Sequence, residues 1–191
     1  MKKISTRKIA LLAMLSAMAF VLFLFEIPLI PGNSYLKLDI SDVPALAGGV
    51  LLGPVAAVII EAVKNIIELL VKGMGTQLGF GNIMNFVVGV AYVVPFALAY
   101  KGAVKKYKTE IAVLISSAIG LVSIVVLGIC GNYVIAPLFF RYFMNTILTG
   151  DALWTAIWSA TILNLVKGVF LSIVSFPLIK VVCERIKKLI I

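Results

Sequence analysis

From Ile9 to Phe25 the chain carries no charge, and runs of this kind recur to its end. A helix rises ~1.5 Å per residue, so roughly 20 apolar residues match a ~30 Å hydrocarbon layer. Such runs admit a helical membrane bundle, because only closed backbone hydrogen bonding is tolerated in lipid. The spacing predicts an all-α integral membrane protein of six helices. They are expected over 8–26, 42–52, 55–72, 82–100, 110–140 and 151–184, within one transmembrane domain spanning 1–191. Gly53-Pro54 marks a tight break between the second and third, and the Pro/Gly-rich stretch 27–41 reads as an ordered loop.

Charge placement argues the same way. Hydrophobic residues make up 62% and charged residues 13% of the chain, with a mean hydropathy of +1.16. That leaves too little polar surface to cover a soluble globule. The net charge of +9 does not indicate nucleic acid, because Lys and Arg sit at the ends of apolar runs. With six spans, twelve of them (Lys2, Lys3, Arg7, Lys8, Lys101, Lys105, Lys106, Lys108, Lys180, Arg185, Lys187, Lys188) share one side. Only Lys37, Lys72 and Arg141 take the other. The positive-inside rule then places both termini in the cytoplasm. The second helix, about a dozen residues and ~18 Å long, is short for a span. Omitting it would put the N-terminal cluster outside. The N-terminus imitates a signal peptide but no small-x-small cleavage site follows, so it reads as a retained first span.

Seven polar residues fall within the apolar runs: Glu61, Lys64, Glu68, Asn85, Asn132, Asn164 and Lys167. An ionised group at the bilayer centre costs ~3 kcal/mol on insertion scales, so such groups face the bundle interior and mark a ligand or ion path. Measured from the cytoplasmic ends, helix rise puts Lys64 at ~15 Å, Glu68 at ~21 Å, Asn85 and Lys167 at ~22 Å, Asn164 at ~27 Å and Asn132 at ~31 Å. This pattern describes a pocket open to the outside above an apolar inner half. Glu61–Lys64 and Lys64–Glu68 have the spacing to pair along one helix face. No acid lies near Lys167 on its own helix, so its partner lies across the bundle or in a ligand. Asn85 and Asn132 could equally be interhelical glue. Asp42 or Ser41 can cap the second helix. Gly128, Gly131 and Pro137 suggest a kinked outer half of the fifth helix.

Ala13-x-x-x-Ala17 makes a flat strip on the first helix, for a partner helix or for packing within the bundle. Trp154 and Trp158, one turn apart, read as an interfacial belt. The chain has two cysteines, Cys130 and Cys183, on different helices, and no histidine. No catalytic constellation, phosphate-binding loop or metal cluster is legible, so neither an enzyme nor a metal or cofactor protein is expected.

Certain stretches carry a resemblance. They are Tyr35-Leu36-Lys37-Leu38-Asp39-Ile40-Ser41-Asp42-Val43-Pro44-Ala45-Leu46, Gly53-Pro54-Val55-Ala56 and Val63-Lys64-Asn65. With them go Asn85-Phe86 and Gly89, Asn132-Tyr133 and Pro137, and Asn164-Leu165-Val166-Lys167-Gly168. Over nearly its whole length the chain resembles the substrate-binding (S) components of energy-coupling factor (ECF) vitamin transporters, most of all the riboflavin-specific ones. The resemblance implies a six-helix bundle in a prokaryotic cell membrane that captures the vitamin near the outer surface under loop lids. It also implies partners: an EcfT-type coupling subunit and two ATPases, which hydrolyse the ATP while the S component topples to deliver its cargo. By that resemblance Asn132, Asn164 and Lys167 bind the flavin. Asp39, Lys64 and Asn85 serve the ribityl chain, Tyr35 belongs to the lid, and Ala13 and Ala17 carry docking. The competing expectations are an S component for another vitamin or nucleobase-like compound, and a stand-alone facilitator or intramembrane enzyme.

Overall fold

The computed structural model describes residues 5–28, 37–73, 79–143, 145–183 and 185–186. The six expected helices are present. They are α1 (Thr6–Phe23), α2 (Asp42–Leu52), α3 (Pro54–Lys72), α4 (Phe80–Ala103), α5 (Thr109–Phe143) and α6 (Gly150–Pro177). Two short strands, β1 (Ile27–Pro28) and β2 (Lys37–Leu38), pair antiparallel after α1, with Ile27 opposite Leu38.

By length and composition α1, α4, α5 and α6 are able to cross a membrane. The chain is thus a multi-pass membrane protein. α3 is long enough but carries Glu61, Lys64, Glu68 and Lys72. Its apolar residues Val55, Ile66 and Leu70 are exposed, while the ionisable ones at 61, 64 and 68 are buried. That is the inside-out pattern expected where the surroundings are lipid.

α2 explains its own brevity. At 11 residues it is ~16 Å long and cannot cross alone. It packs against α1, α3, α4 and α6, and Pro44 to Gly49 are all buried. It therefore starts partway through the bundle, where the stretch ahead of it dips inward. Such irregular backbone is tolerated at depth only when protein encloses it. Small residues make the enclosure possible. A Cβ on Gly49 would lie 3.0 Å from Ala97 and 3.3 Å from Ala57, so α2, α3 and α4 meet nearly backbone to backbone. At Gly53 φ is +105°, a value open to glycine, and Pro54 then starts α3 with its fixed φ.

Below the polar residues, Tyr92, Phe96 and Tyr100 stack along α4 with ring centroids 5.9 and 6.3 Å apart. This inner half is apolar apart from a few paired hydroxyls. Tyr92 Oη and Ser172 Oγ lie 2.9 Å apart, and Ser117 and Ser175 Oγ 3.2 Å apart. Paired with one another, these hydroxyls avoid the cost of an unmet polar group.

Several helix ends differ from the sequence reading, α1 stopping at Phe23 and α4 running from Phe80 to Ala103. α5 continues through Pro137 to Phe143, so the loop expected from Arg141 starts later. α6 gives way at Pro177 to a π-helical segment, Leu178–Cys183. Proline removes one N–H and crowds the preceding turn, and a widened turn absorbs both.

Candidate functional site

Three of the eight acids of the chain, Asp39, Asp42 and Glu61, converge with two lysines, Lys64 and Lys167. Each is at most 3% exposed. The loop before α2 supplies Asp39, the first turn of α2 supplies Asp42, α3 supplies Glu61 and Lys64, and α6 supplies Lys167. The two lysines are cross-strapped to the acids rather than paired one to one.

Lys64 Nζ donates to Asp42 Oδ1 and to Ser41 Oγ at 2.7 Å. It also lies 2.7 Å from Glu61 Oε2, one turn back on its own helix. Lys167 Nζ reaches Asp42 Oδ2 at 2.9 Å and donates to Asp39 Oδ2 at 3.1 Å. Asn85 Nδ2 donates to the same Asp39 oxygen at 2.8 Å. The other oxygen of Asp39 accepts from the backbone N–H of Ser41 at 2.9 Å and from its hydroxyl. This side-chain turn over two residues shapes the entry into α2. Burial alone would raise the Asp39 carboxyl. The Lys167 and Lys64 ammonium groups, with the Ser41 bonds, outweigh it and hold Asp39 below the usual carboxylate range.

Several expectations change here. Neither Ser41 nor Asp42 caps α2 through its side chain; the Ser41 hydroxyl turns to Asp39, and the Asp42 carboxylate spans Lys64 and Lys167. An inward carboxylate is worth more to two buried ammonium groups than to a helix end. Lys64 pairs with Glu61, whereas Glu68 pairs with Lys72 at 2.9 Å and accepts from Asn82. Lys167 has its partners across the bundle. Asp42 and Ser41 are the site residues that sequence reasoning missed. The signal was arithmetic: with Glu68 held by Lys72, two buried lysines need more acid than Glu61 supplies from the same helix.

The asparagines form a second group. Asn132 is 1% exposed and its Nδ2 donates to Gly128 O at 2.9 Å, one turn back along α5. Asn164 on α6 lies flat against that same turn, because a Cβ on Gly128 would collide with its Nδ2. Asn164 Nδ2 is buried and has no acceptor among the described residues. One turn on, the Lys167 ammonium has three N–H donors and two carboxylate partners. Both side chains therefore present spare donors from the same helix. Asn65 belongs with the ion cluster, donating to Glu61 O at 2.8 Å and to Asn85 Oδ1 at 3.5 Å. Tyr35, expected in the lid, lies outside the described residues.

On the opposite side of α1 from its buried Leu15, Ala19 and Phe23, both Ala13 and Ala17 are exposed, flanked by Met14 and Met18. The strip does not pack within the bundle. Trp154 and Trp158 also face outward, about half exposed.

Comparison with known proteins identifies the family. The profile of the ECF transporter substrate-specific component family matches residues 7–179. The riboflavin transporter RibU of Staphylococcus aureus (strain TCH60) is 34% identical over 186 residues, covering 96% of this chain and 94% of its own. The riboflavin transporter FmnP of Bacillus subtilis (strain 168) is 31% identical over 170 residues, covering 88% of this chain and 87% of its own. Among solved structures, the S component of a bacterial ECF transporter superposes with a TM-score of 0.68 at 26% identity, covering 95% of this chain and 98% of the other. The fold, the matched family and relatives of nearly equal length agree: this chain belongs to the substrate-specific components of the ECF transporters.

Proposed function

We propose that this chain captures riboflavin at the outer face of a prokaryotic cell membrane and delivers it inward as a subunit of an ATP-driven importer. One observation carries the substrate: the spare donors of Asn164 and Lys167, buried and one turn apart on α6. A buried donor without an acceptor costs ~1–3 kcal/mol, which a ligand bringing acceptors relieves. The pyrimidine edge of riboflavin offers two carbonyl oxygens and a ring nitrogen, with an N–H between the carbonyls. An asparagine amide matches that edge because it both donates and accepts. Asn132, Asn164 and Lys167 hold the edge in this reading. Asp39, Lys64 and Asn85 meet the ribityl hydroxyls, with Tyr35 above. The relatives named as riboflavin transporters support the same substrate.

The partners in this reading are an EcfT-type coupling subunit and two ATPases. Ala13 and Ala17 on α1 are the docking strip, since they are small, one turn apart and exposed. The chain itself hydrolyses no ATP. Both termini lie in the cytoplasm, as the distribution of Lys and Arg requires of six spans.

Lys167→Ala tests the site. It removes the charged donor, and riboflavin affinity is expected to fall more than about tenfold. Unchanged affinity in a calorimetric titration would remove Lys167 from the site. Gly128→Ala tests the positioning of Asn164. Its methyl group pushes the amide off α5, and affinity is expected to fall about tenfold, the size of one hydrogen bond. Full affinity in the same titration would mean that Asn164 does not need this seat.

A further inference from the structure

At the end of the bundle away from the ion cluster, the α2–α3 turn and the last turn of α4 enclose a groove of about 380 Å³. That volume falls within the roughly 300–1,000 Å³ of small-molecule sites. Its walls include Val50 and Pro54 on one side and Ala97 and Val104 on the other. Among the described residues its only charged lining side chains are Lys101 and Lys105, one turn apart, and no acid contributes. Neither lysine makes an ion pair among the described residues. Val55 and Leu98, next in the chain to the lining residues Pro54 and Ala97, are 71% and 54% exposed apolar side chains. The groove is therefore apolar beside the lipid-facing surface and cationic where α4 leaves the membrane.

We infer that this groove binds an anionic phospholipid, with its phosphate on Lys101 and Lys105 and the start of an acyl chain leaving past Val50 and Pro54 towards the exposed Val55 and Leu98. The charge sequence fits that amphiphile: a hydrated anion meets two ammonium groups, and hydrocarbon meets Val50, Pro54 and Val104. A basic pocket between membrane helices at the cytoplasmic side is a site for acidic headgroups. The bland alternative is that these lysines serve only topology, like any basic connector. Lys106 and Lys108 separate the two readings, because they belong to the same connector and do not line the groove.

The experiment is native mass spectrometry of the detergent-purified full chain, titrated with phosphatidylglycerol or phosphatidylcholine. Phosphatidylglycerol is expected to be retained preferentially, and equally well by Lys106→Gln/Lys108→Gln. Lys101→Gln/Lys105→Gln is expected to lose about tenfold or more of that occupancy, at the strength of one lysine beside an acidic surface compounded over two. Val104→Trp, which fills the groove at a partly exposed position without changing charge, is expected to lose it too. Equal retention of the two lipids overturns the proposal. So does equal loss in the two lysine pairs, or full retention by Val104→Trp. If Lys101→Gln/Lys105→Gln keeps its lipid but no longer co-purifies with a coupling subunit, the groove is a protein contact and the proposal fails.

Discussion

Replacing Ala13 and Ala17 together by leucine is expected to leave riboflavin affinity within about twofold while abolishing uptake by the assembled transporter. Both positions point away from the bundle, and the buried residues of α1, Leu15, Ser16, Ala19 and Phe23, lie on another face. Larger side chains there project away from the described residues of the chain, so the fold and the binding site should be unaffected. A partner helix seated on that strip would be held off, because close approach depends on small side chains. Membrane helices gain nothing from burying leucine against leucine in place of lipid, so added apolar surface does not compensate. Binding is read by titration of the purified variant and uptake by vesicles carrying the complete complex. Undiminished uptake would move docking off α1.

The second large effect concerns stability. Lys64→Met is expected to destabilise the protein by about 3–5 kcal/mol, because it removes one cation from a fully buried cluster. Lys64 faces Asp42, Glu61 and Ser41. Without it Glu61 loses its ion-pair partner among the described residues, and Asp42 keeps Lys167 alone. The surface pair Lys180–Glu110, 2.8 Å apart with both partners about half exposed, provides the comparison. Lys180→Gln should cost less than about 1 kcal/mol, since water screens such pairs. Thermal unfolding in detergent without riboflavin separates the two. Equal midpoints would mean that the buried cluster contributes no more than a surface contact, and would remove the structural role assigned to it.

That cluster also shows where sequence reading reached its end. Helix positions were legible because most apolar runs approach the thickness of a bilayer, and Gly53-Pro54 and the Lys101–Lys108 connector punctuate them; the short α2 was legible from charge placement. The i,i+3 contact between Glu61 and Lys64 was legible because it is local to one helix. The partners of Lys167 were not, because Asp39 and Asp42 stand more than a hundred residues away and only the inward dip before α2 brings them close. Asp42 sits where a helix cap belongs, and its local position concealed its long-range role. The same limit applies to the alanine strip: spacing defined a flat face, and only the packing of α1 showed that it faces outward. The widening after Pro177 was missed for another reason, since proline forecasts a disturbance but not which irregular turn absorbs it.

Riboflavin capture is the central claim, and the visible absorption spectrum of the detergent-purified protein tests it most directly. The expected preparation is yellow, and denaturation releases riboflavin from it. A preparation stripped of ligand should regain the colour with added riboflavin and keep it through a desalting column that removes the excess. A colourless preparation that also fails to retain added riboflavin would contradict the claim. The chain would remain an S component, and its spare donors on α6 would belong to a different cargo.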